Sequence, residues 1–143
     1  MIYTRFEING KEHELKLTYG SISELNKKYP GGAQEVVGAC IQGNLEMFED
    51  AIYFGLMHTG EGITREKVVE EITNKFEQEK ISQQYIEDVL NEVIADNFFY
   101  RAKTKQLKAK MKKQLVAKNP ELKEMADEMF GTDEEQEISL EKK

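Results

Sequence analysis

Cysteine, proline and histidine are scarce in this chain of 143 residues, and tryptophan is absent. The one cysteine, Cys40, can form neither an intrachain disulfide nor a thiolate zinc site. It lies in the apolar residues 36–41, so we predict that it is a small buried hydrophobic residue. Neither proline nor glycine interrupts residues 63–118, which leaves that stretch open to long helices.

No recognisable arrangement of catalytic or metal-binding residues stands out. The two histidines, His13 and His58, fall in no HExxH or ExxH pattern, and no Ser-His-Asp set can be read with specificity. The glycines of residues 31–32 and 60–62 match neither a Walker loop nor a dinucleotide fingerprint. We therefore expect no enzyme, no cofactor and no metal. Solvation on polar helix faces is the expected role of the frequent carboxylates, such as Glu46, Glu49, Asp50, Glu70 and Glu71.

Long hydrophobic runs are also missing. The longest uncharged stretches, residues 36–45 and 51–60, hold ten residues each. A membrane-spanning helix needs about 20 apolar residues, so no transmembrane segment is predicted. Residues 1–5 lack a basic region followed by an apolar one, so we expect no secretion signal and a protein that stays in the cytoplasm.

Apolar and polar residues alternate along residues 2–17, which is typical of strands with one buried face. Asn9-Gly10 interrupts the alternation and readily accepts the positive φ angles of a type I′ turn. Two strands alone are marginally stable in water, so the apolar face is expected to pack against helices. That face consists of Ile2, Thr4, Phe6, Ile8, His13, Leu15 and Leu17.

Caps and breaks then divide the chain into helices. The capping-box sequence Ser21-Ile22-Ser23-Glu24 predicts a short helix ending at Tyr29, followed by a helix over residues 33–42. Asn44 is the predicted N-cap of a third helix, residues 45–58, which is apolar nearly all round and should be the central core helix. Thr64 and Ser82 are the predicted caps of a fourth and a fifth helix. Their apolar stripes are Val68, Val69, Ile72 and Phe76, and Tyr85, Ile86, Val89, Leu90, Val93, Ile94 and Phe98.

A fifth helix that continued unbroken to Lys118 would be about 54 Å long and would outrun its own domain. Asn119-Pro120 stops the helical pattern, and a short helix is expected to reach Phe130. The predicted fold is therefore mostly α (α+β), with the hairpin packed on a helical body. We predict three parts: the body (residues 1–100), a basic amphipathic helical arm (101–118), and a short helix with an acidic, disordered tail (119–143).

Charge follows the same division. The chain carries 27 acids and 20 bases, for a formal net charge of -7. Residues 101–118 hold eight bases and no acid, whereas residues 119–143 hold nine acids and three bases. The modest net charge is therefore a cancellation between strongly charged segments.

The basic segment admits three interpretations. It can be a solvated or fraying helix, or a helix that docks on a partner through the thin apolar stripe Leu107, Met111 and Leu115. That partner could be a second copy or the acidic tail of the same chain. Nucleic acid is disfavoured because the flanking segments are acidic and no groove-reading motif accompanies the lysines.

The first hairpin and its exit carry a distinctive run: an Ile-Asn-Gly turn followed by Lys and Glu, then a Thr-aromatic-Gly-Ser step into a helix with Leu-Asn. This run resembles the start of tail assembly chaperones from long-tailed (siphovirus-type) phages of Gram-positive bacteria. The resemblance covers roughly residues 1–100. It is carried by residues 6–22, Leu25, Asn26 and Tyr29.

That resemblance implies a non-enzymatic viral protein acting in virion assembly. Such chaperones bind the tape measure protein and keep it soluble until tail tube subunits polymerise around it, and they are absent from the mature virion. They form oligomers, and many are made in two forms by ribosomal frameshifting, the longer of which recruits tail tube protein. This chain would be the shorter form, acting in the host cytoplasm without a membrane.

We predict that partners bind the basic segment through Leu107, Met111 and Leu115, with Lys105, Lys108 and Lys112 beside them. Phe99 and Tyr100 are second candidates because Phe98 is assigned to the core face of the fifth helix. Two other functions stay open. One is a nucleic-acid-associated phage regulator that uses the basic helix, and the other is a structural tail or connector component that remains in the particle.

Overall fold

The N-terminal hairpin forms as its alternation predicts. In the computed structural model, which describes residues 4–130, strands β1 (Arg5–Ile8) and β2 (Lys11–Glu14) pair antiparallel. Asn9 and Gly10 both have positive φ, 53° and 79°, as a type I′ turn requires. Phe6 and His13 lie opposite each other on the buried face. Ile2, the first residue assigned to that face, lies outside the described residues.

Helices make up most of the remaining described chain, so the mostly α class with a small β part is confirmed. Between the third and fourth helices, residues 57–59 form a 3₁₀ turn. The acidic tail lies outside the described residues. In chain order the helices are α1 (Tyr19–Lys28), α2 (Ala33–Ile41), α3 (Leu45–Gly55), α4 (Arg65–Glu77), α5 (Gln83–Leu90), α6 (Arg101–Lys118) and α7 (Lys123–Phe130).

The chain divides into two units after Asn97. The first unit contains the hairpin and α1–α5, and the second contains α6 and α7. The observed bounds of α6 coincide with those of the predicted arm.

Three predicted N-caps are confirmed, and one is wrong. The side chains of Asn44, Thr64 and Ser82 each accept a hydrogen bond from the backbone three residues on. Helix α1, however, is capped by Thr18 instead of Ser21. The Ser21 amide donates to Thr18 Oγ1 (3.3 Å) and the Thr18 amide to Ser21 Oγ (2.6 Å), so the two hydroxyls form the reciprocal capping box. The predicted capping box, with Ser21 as the cap and Glu24 as its partner, lies three residues too far along the chain for the start of α1.

Helix α3 is the core helix, as predicted. Met47, Phe48, Ala51 and Ile52 are at most 1% exposed, because α3 packs against α1, α2, α4 and α5. Cys40 on α2 is buried, which confirms its predicted role as a small core residue. Such a core supplies most of the favourable free energy of folding.

A close approach at Gly55 docks the hairpin on the end of α3. The Lys16 amide donates to the Gly55 carbonyl (2.9 Å). A Cβ at position 55 would lie only 3.2 Å from Leu15 Cβ, so the glycine allows the two backbones to approach closely. A ring nitrogen of His58, Nε2, lies 2.7 Å from the Glu14 carbonyl. Helix α3 ends at Gly55, three residues before the predicted end.

Side chains of helix α4 form hydrogen bonds to the backbone of β1 and of the turn that follows it. The ammonium of Lys75 donates to the Glu7 carbonyl (2.8 Å) and to Glu71 (2.9 Å), and it lies over the Phe6 ring. Glu71 also accepts from the Asn9 amide (3.3 Å), and these donors lower its pKa, the Lys75 hydrogen bond most. Glu71 is therefore only partly solvated, contrary to the expectation of a fully solvated role.

The fifth predicted helix is interrupted before its stripe is complete. Helix α5 ends at Leu90, and residues 91–95 form a π-helical turn in which the Asp96 amide donates to the Asn91 carbonyl. Val93 and Ile94 are buried as predicted, but Phe98 is 79% exposed. Its assignment to the core face is wrong, because the helical turns end at Ala95 and Phe98 lies in the irregular segment before α6.

A buried carboxylate holds α1, α3 and α4 together. Asp50 on α3 is completely buried, and its Oδ1 accepts from Lys28 Nζ (2.8 Å) and Arg65 Nη2 (3.0 Å). Its Oδ2 accepts from the Tyr29 hydroxyl (2.5 Å). The expectation that solvation explains Asp50 is wrong. A charge at this depth is tolerated because hydrogen bonds and two cations replace the lost water.

The same cluster shifts two pKa values. Burial and the hydrogen bond to Asp50 raise the pKa of Tyr29 well above its ordinary value, because ionising it would place a second negative charge beside the carboxylate. Burial by itself would lower the pKa of Arg65, but the hydrogen bonds and charges of Asp50 and Glu49 raise it.

Replacing Asp50 with Ala should lower the free energy of unfolding by about 2–4 kcal/mol. The loss comes from the missing acceptor for three donors. It is moderated because Lys28 and Arg65 are one-third exposed and can regain water. Urea denaturation measures it. Glu66→Ala, at an exposed carboxylate of α4, is the control and should change stability by about 0.5 kcal/mol. A loss below about 1 kcal/mol for Asp50→Ala would contradict the role assigned to Asp50.

Stability should also fall above about pH 10, where tyrosines of the unfolded chain ionise. The raised folded-state pKa of Tyr29 means that its contribution is present below that pH and is lost as the pH rises toward the folded value. The stability advantage of the wild type over Tyr29→Phe should therefore be constant up to about pH 9 and should shrink progressively as the pH rises from about 10 to 12. Urea titrations of both proteins across this range test the sign, and a constant difference would count against it.

Candidate partner-binding surface

Helix α6 is a strongly cationic helix. Its 18 residues contain eight bases and no acid, glycine or proline. Bases recur at four-residue spacing in the pairs Arg101–Lys105 and Lys108–Lys112, where like charges destabilise a helix. Carboxylates brought from elsewhere would relieve that repulsion.

The chain supplies some of those carboxylates itself. After α6 ends, residues 120–122 form a 3₁₀ turn that begins where the Asn119 side chain accepts from the Glu121 amide (3.1 Å). The chain then continues into α7, which packs against α6. Three of the eight residues of α7 are acidic and one is basic. The predicted short helix to Phe130 is thus present and lies on the basic helix.

One ion pair lies at the centre of this contact. The ammonium of Lys112, whose side chain is 7% exposed, pairs with Asp127 Oδ1. The neighbouring Ala126 has no exposed surface. Lys112 was predicted to contact a partner, and in this structure its ammonium contacts a carboxylate of its own chain.

The predicted apolar row of α6 is only partly buried. Leu107, Met111 and Leu115 are each half-buried, although α7 packs against the same helix. Lys105 and Lys108 beside them are half-buried as well. The structure therefore places the predicted residues on one helix together with Lys112, and their contact with a partner stays a prediction.

The two aromatic candidates differ in exposure. Phe99 is 52% exposed, whereas Tyr100 has no exposed surface. Their rings meet edge to face with centroids 5.1 Å apart, and Thr104 Oγ1 donates to the Tyr100 carbonyl (3.0 Å). Only Phe99 of this pair offers surface to a partner in this conformation.

Sequence reasoning did not single out Ala126 and Asp127. Their signal in the sequence was an acidic short helix following a basic one. The predicted partners of the basic segment were a second copy or the acidic tail of the same chain, not this short helix. The spacing that brings Asp127 to Lys112 depends on the turn at residues 119–122, and the propensities of single residues do not encode that geometry.

Comparison with known families identifies the chain. The family described as "Phage tail assembly chaperone protein, TAC" matches residues 5–110, about three quarters of the sequence. The chain therefore belongs to the phage tail assembly chaperone family. The match runs past the roughly 100 residues of the sequence resemblance and takes in the first ten residues of α6. No curated protein and no solved structure matches the chain.

As a member of this family, the chain functions as a tail assembly chaperone, and its partners are tail proteins in general. Within residues 4–130, no helix has both the length and the apolar character needed to cross a bilayer.

Replacing Asp127 with Asn should loosen α7 on α6, because the neutral amide cannot match the charge-assisted contact with Lys112. We expect the α7 amides to exchange hydrogen about 5- to 30-fold faster, which corresponds to about 1–2 kcal/mol. Hydrogen exchange with mass spectrometry measures this. Glu128→Gln makes the same charge change at an exposed position of α7 and should leave exchange unchanged. Equal protection in both variants would show that the ion pair does not hold α7.

Proposed function

We propose that this chaperone binds the tape measure protein during tail assembly and keeps it soluble, with α6 as the contact element. The observation that carries the proposal is the composition of α6: eight bases without an acid, beside a half-buried apolar row. Lysines beside such a row suit an amphipathic helix of opposite charge, a common mode of helix recognition.

The charge distribution supports a chaperone that remains soluble while it covers apolar client surface. Residues 1–100 carry 18 acids and nine bases, so the hairpin and helical body are strongly acidic. Net charge of one sign discourages aggregation of a complex whose contact surface is partly apolar. The resemblance suggests the tape measure protein as the client, and the family membership supports a role in tail assembly.

We further propose that the protein acts as an oligomer and leaves before the virion is complete. Contacts between unlike surfaces of neighbouring copies would form rings or open arrays, which suit the coating of a long client. Sedimentation of the free protein measures self-association. Mass spectrometry of purified virions distinguishes a chaperone, which is absent from them, from a structural tail component.

A longer, frameshifted form that recruits tail tube protein is also part of the proposal. The codons for Glu141, Lys142 and Lys143 could contain an A-rich run on which a ribosome slips. An overlapping reading frame at this point of the coding DNA, followed by a long tape measure gene, is the expected arrangement. A coding sequence without either feature would remove this part of the proposal.

The contact assignment is tested by replacing Leu107, Met111 and Leu115 together with Ser. Removing the apolar row should weaken binding of co-expressed tape measure protein about tenfold or more, or about 1.4 kcal/mol of binding free energy, because apolar contact with the client is lost. Its soluble yield should fall as a result. Pull-down and the soluble fraction measure the effect, and circular dichroism checks that helix content is kept.

The matched control replaces Gln106 and Gln114, which are exposed on the same helix, with Ser. It should bind and solubilise like the wild type. If the triple variant loses helix content, Lys105→Gln with Lys108→Gln is the second test, since it leaves the apolar row in place. Unchanged self-association and unchanged client solubility in all these variants would show that α6 is not the contact element.

A further inference from the structure

Helix α7 is too short to be stable without α6. Its eight residues span about 12 Å, against about 27 Å for the 18 residues of α6. Isolated helices shorter than about 12–15 residues are marginal in water. Its helical state therefore depends on the packing against α6, and its release costs little beyond that contact.

The contact itself has a simple chemistry. Ala126 is completely buried, and Asp127 pairs with the buried ammonium of Lys112. The other carboxylates of α7, Glu124 and Glu128, are exposed. A helix that binds this surface of α6 should therefore carry a small residue at the buried position of Ala126 and a carboxylate at the next position.

The apolar row of α6 keeps exposed surface while α7 is in place. Leu107, Met111 and Leu115 stay half-buried with α7 in place, while Met125 of α7 is 43% exposed. A helix with larger apolar residues in register with this row would bury more surface than α7 does, and each buried methylene group favours binding.

We infer that α7 occupies a docking surface on α6 for an acidic amphipathic helix of the client, and that the client helix displaces α7. The inference rests on the proposed function, in which α6 is the contact element. Charge selects the occupant, because α6 carries eight bases and no acid, and its Lys112 already binds the carboxylate of Asp127. A client helix with an acid in that place makes the same pair and completes the apolar contact.

Because α7 is tethered to α6 by four residues, it competes at an effective concentration in the millimolar range. Weakening α7 should therefore strengthen the binding of an added helix. The probe is a fluorescein-labelled peptide with the sequence of residues 119–130, which carries the chemistry that α6 already accepts. Its binding to the full chain is followed by fluorescence anisotropy.

The peptide should bind Asp127→Asn protein about fivefold or more tightly than it binds the wild type or Glu128→Gln protein. A peptide with Asn in place of the acid equivalent to Asp127 should lose most of that binding, whereas one with Gln at the Glu128 position should keep it. Equal binding to the three proteins, no binding to any, or binding that ignores the peptide's acid would overturn the inference.

A second measurement decides whose α7 is bound. In a mixture of unlabelled and ¹⁵N-labelled wild-type protein, a zero-length carbodiimide cross-link between Lys112 and Asp127 should join residues of one chain. Cross-links of mixed isotope composition would make α7 of a second copy the occupant and would overturn the inference.

The two proposals fail separately. If the peptide behaves as expected but does not compete with the tape measure protein, the docking surface stands and α6 is not the client contact. If the Leu107, Met111 and Leu115 variant loses the client but peptide binding is the same in Asp127→Asn protein as in the wild type, α6 binds the client and α7 does not cover its site.

Discussion

The first unit is organised around the charge of Asp50. A carboxylate without exposed surface must be hydrogen-bonded and paired, and Asp50 meets this requirement with Lys28, Tyr29 and Arg65. Those donors come from the end of α1, the residue after it and the start of α4. Apolar burial on α3 brings the helices together without regard to direction, whereas the ion cluster accepts one arrangement. The hairpin is then held by Gly55 and Lys75, both on helices that this cluster positions.

Charge plays a different part in the second unit. Helix α6 carries eight bases and no acid, and α7 contributes the carboxylate of Asp127 that pairs with Lys112. Asp50 links three helices of the first unit, since its removal would leave three donors without their common acceptor. The α6–α7 contact involves a short helix and a half-buried row, which suits an exchangeable contact.

Short-range sequence patterns predicted the turn and most helix caps. They did not predict the places where the structure departs from the usual pattern. Asn9-Gly10, Asn44, Thr64 and Ser82 act within three or four residues of themselves, so the turn and three caps could be predicted from the sequence. Thr18 was missed because the sequence does not distinguish a capping box of two hydroxyls, Thr18 and Ser21, from one of a hydroxyl and a carboxylate, Ser21 and Glu24. Phe98 was misplaced because the helix ends in a π-helical turn at Ala95, and nothing in the spacing of Val93 and Ile94 predicts that end.

The sequence by itself determined the fold class, the core helix, the basic segment and the resemblance that the family match confirms. These depend on periodicity, composition and short motifs, which neighbouring residues specify among themselves. The tertiary structure decided which carboxylates are buried and which lysine is already paired. Asp50 and Asp127 look like any other acid on a helix, and their partners are 15 to 22 residues away. Only folding brings those charges together, so their burial and pairing are properties of the packed helices.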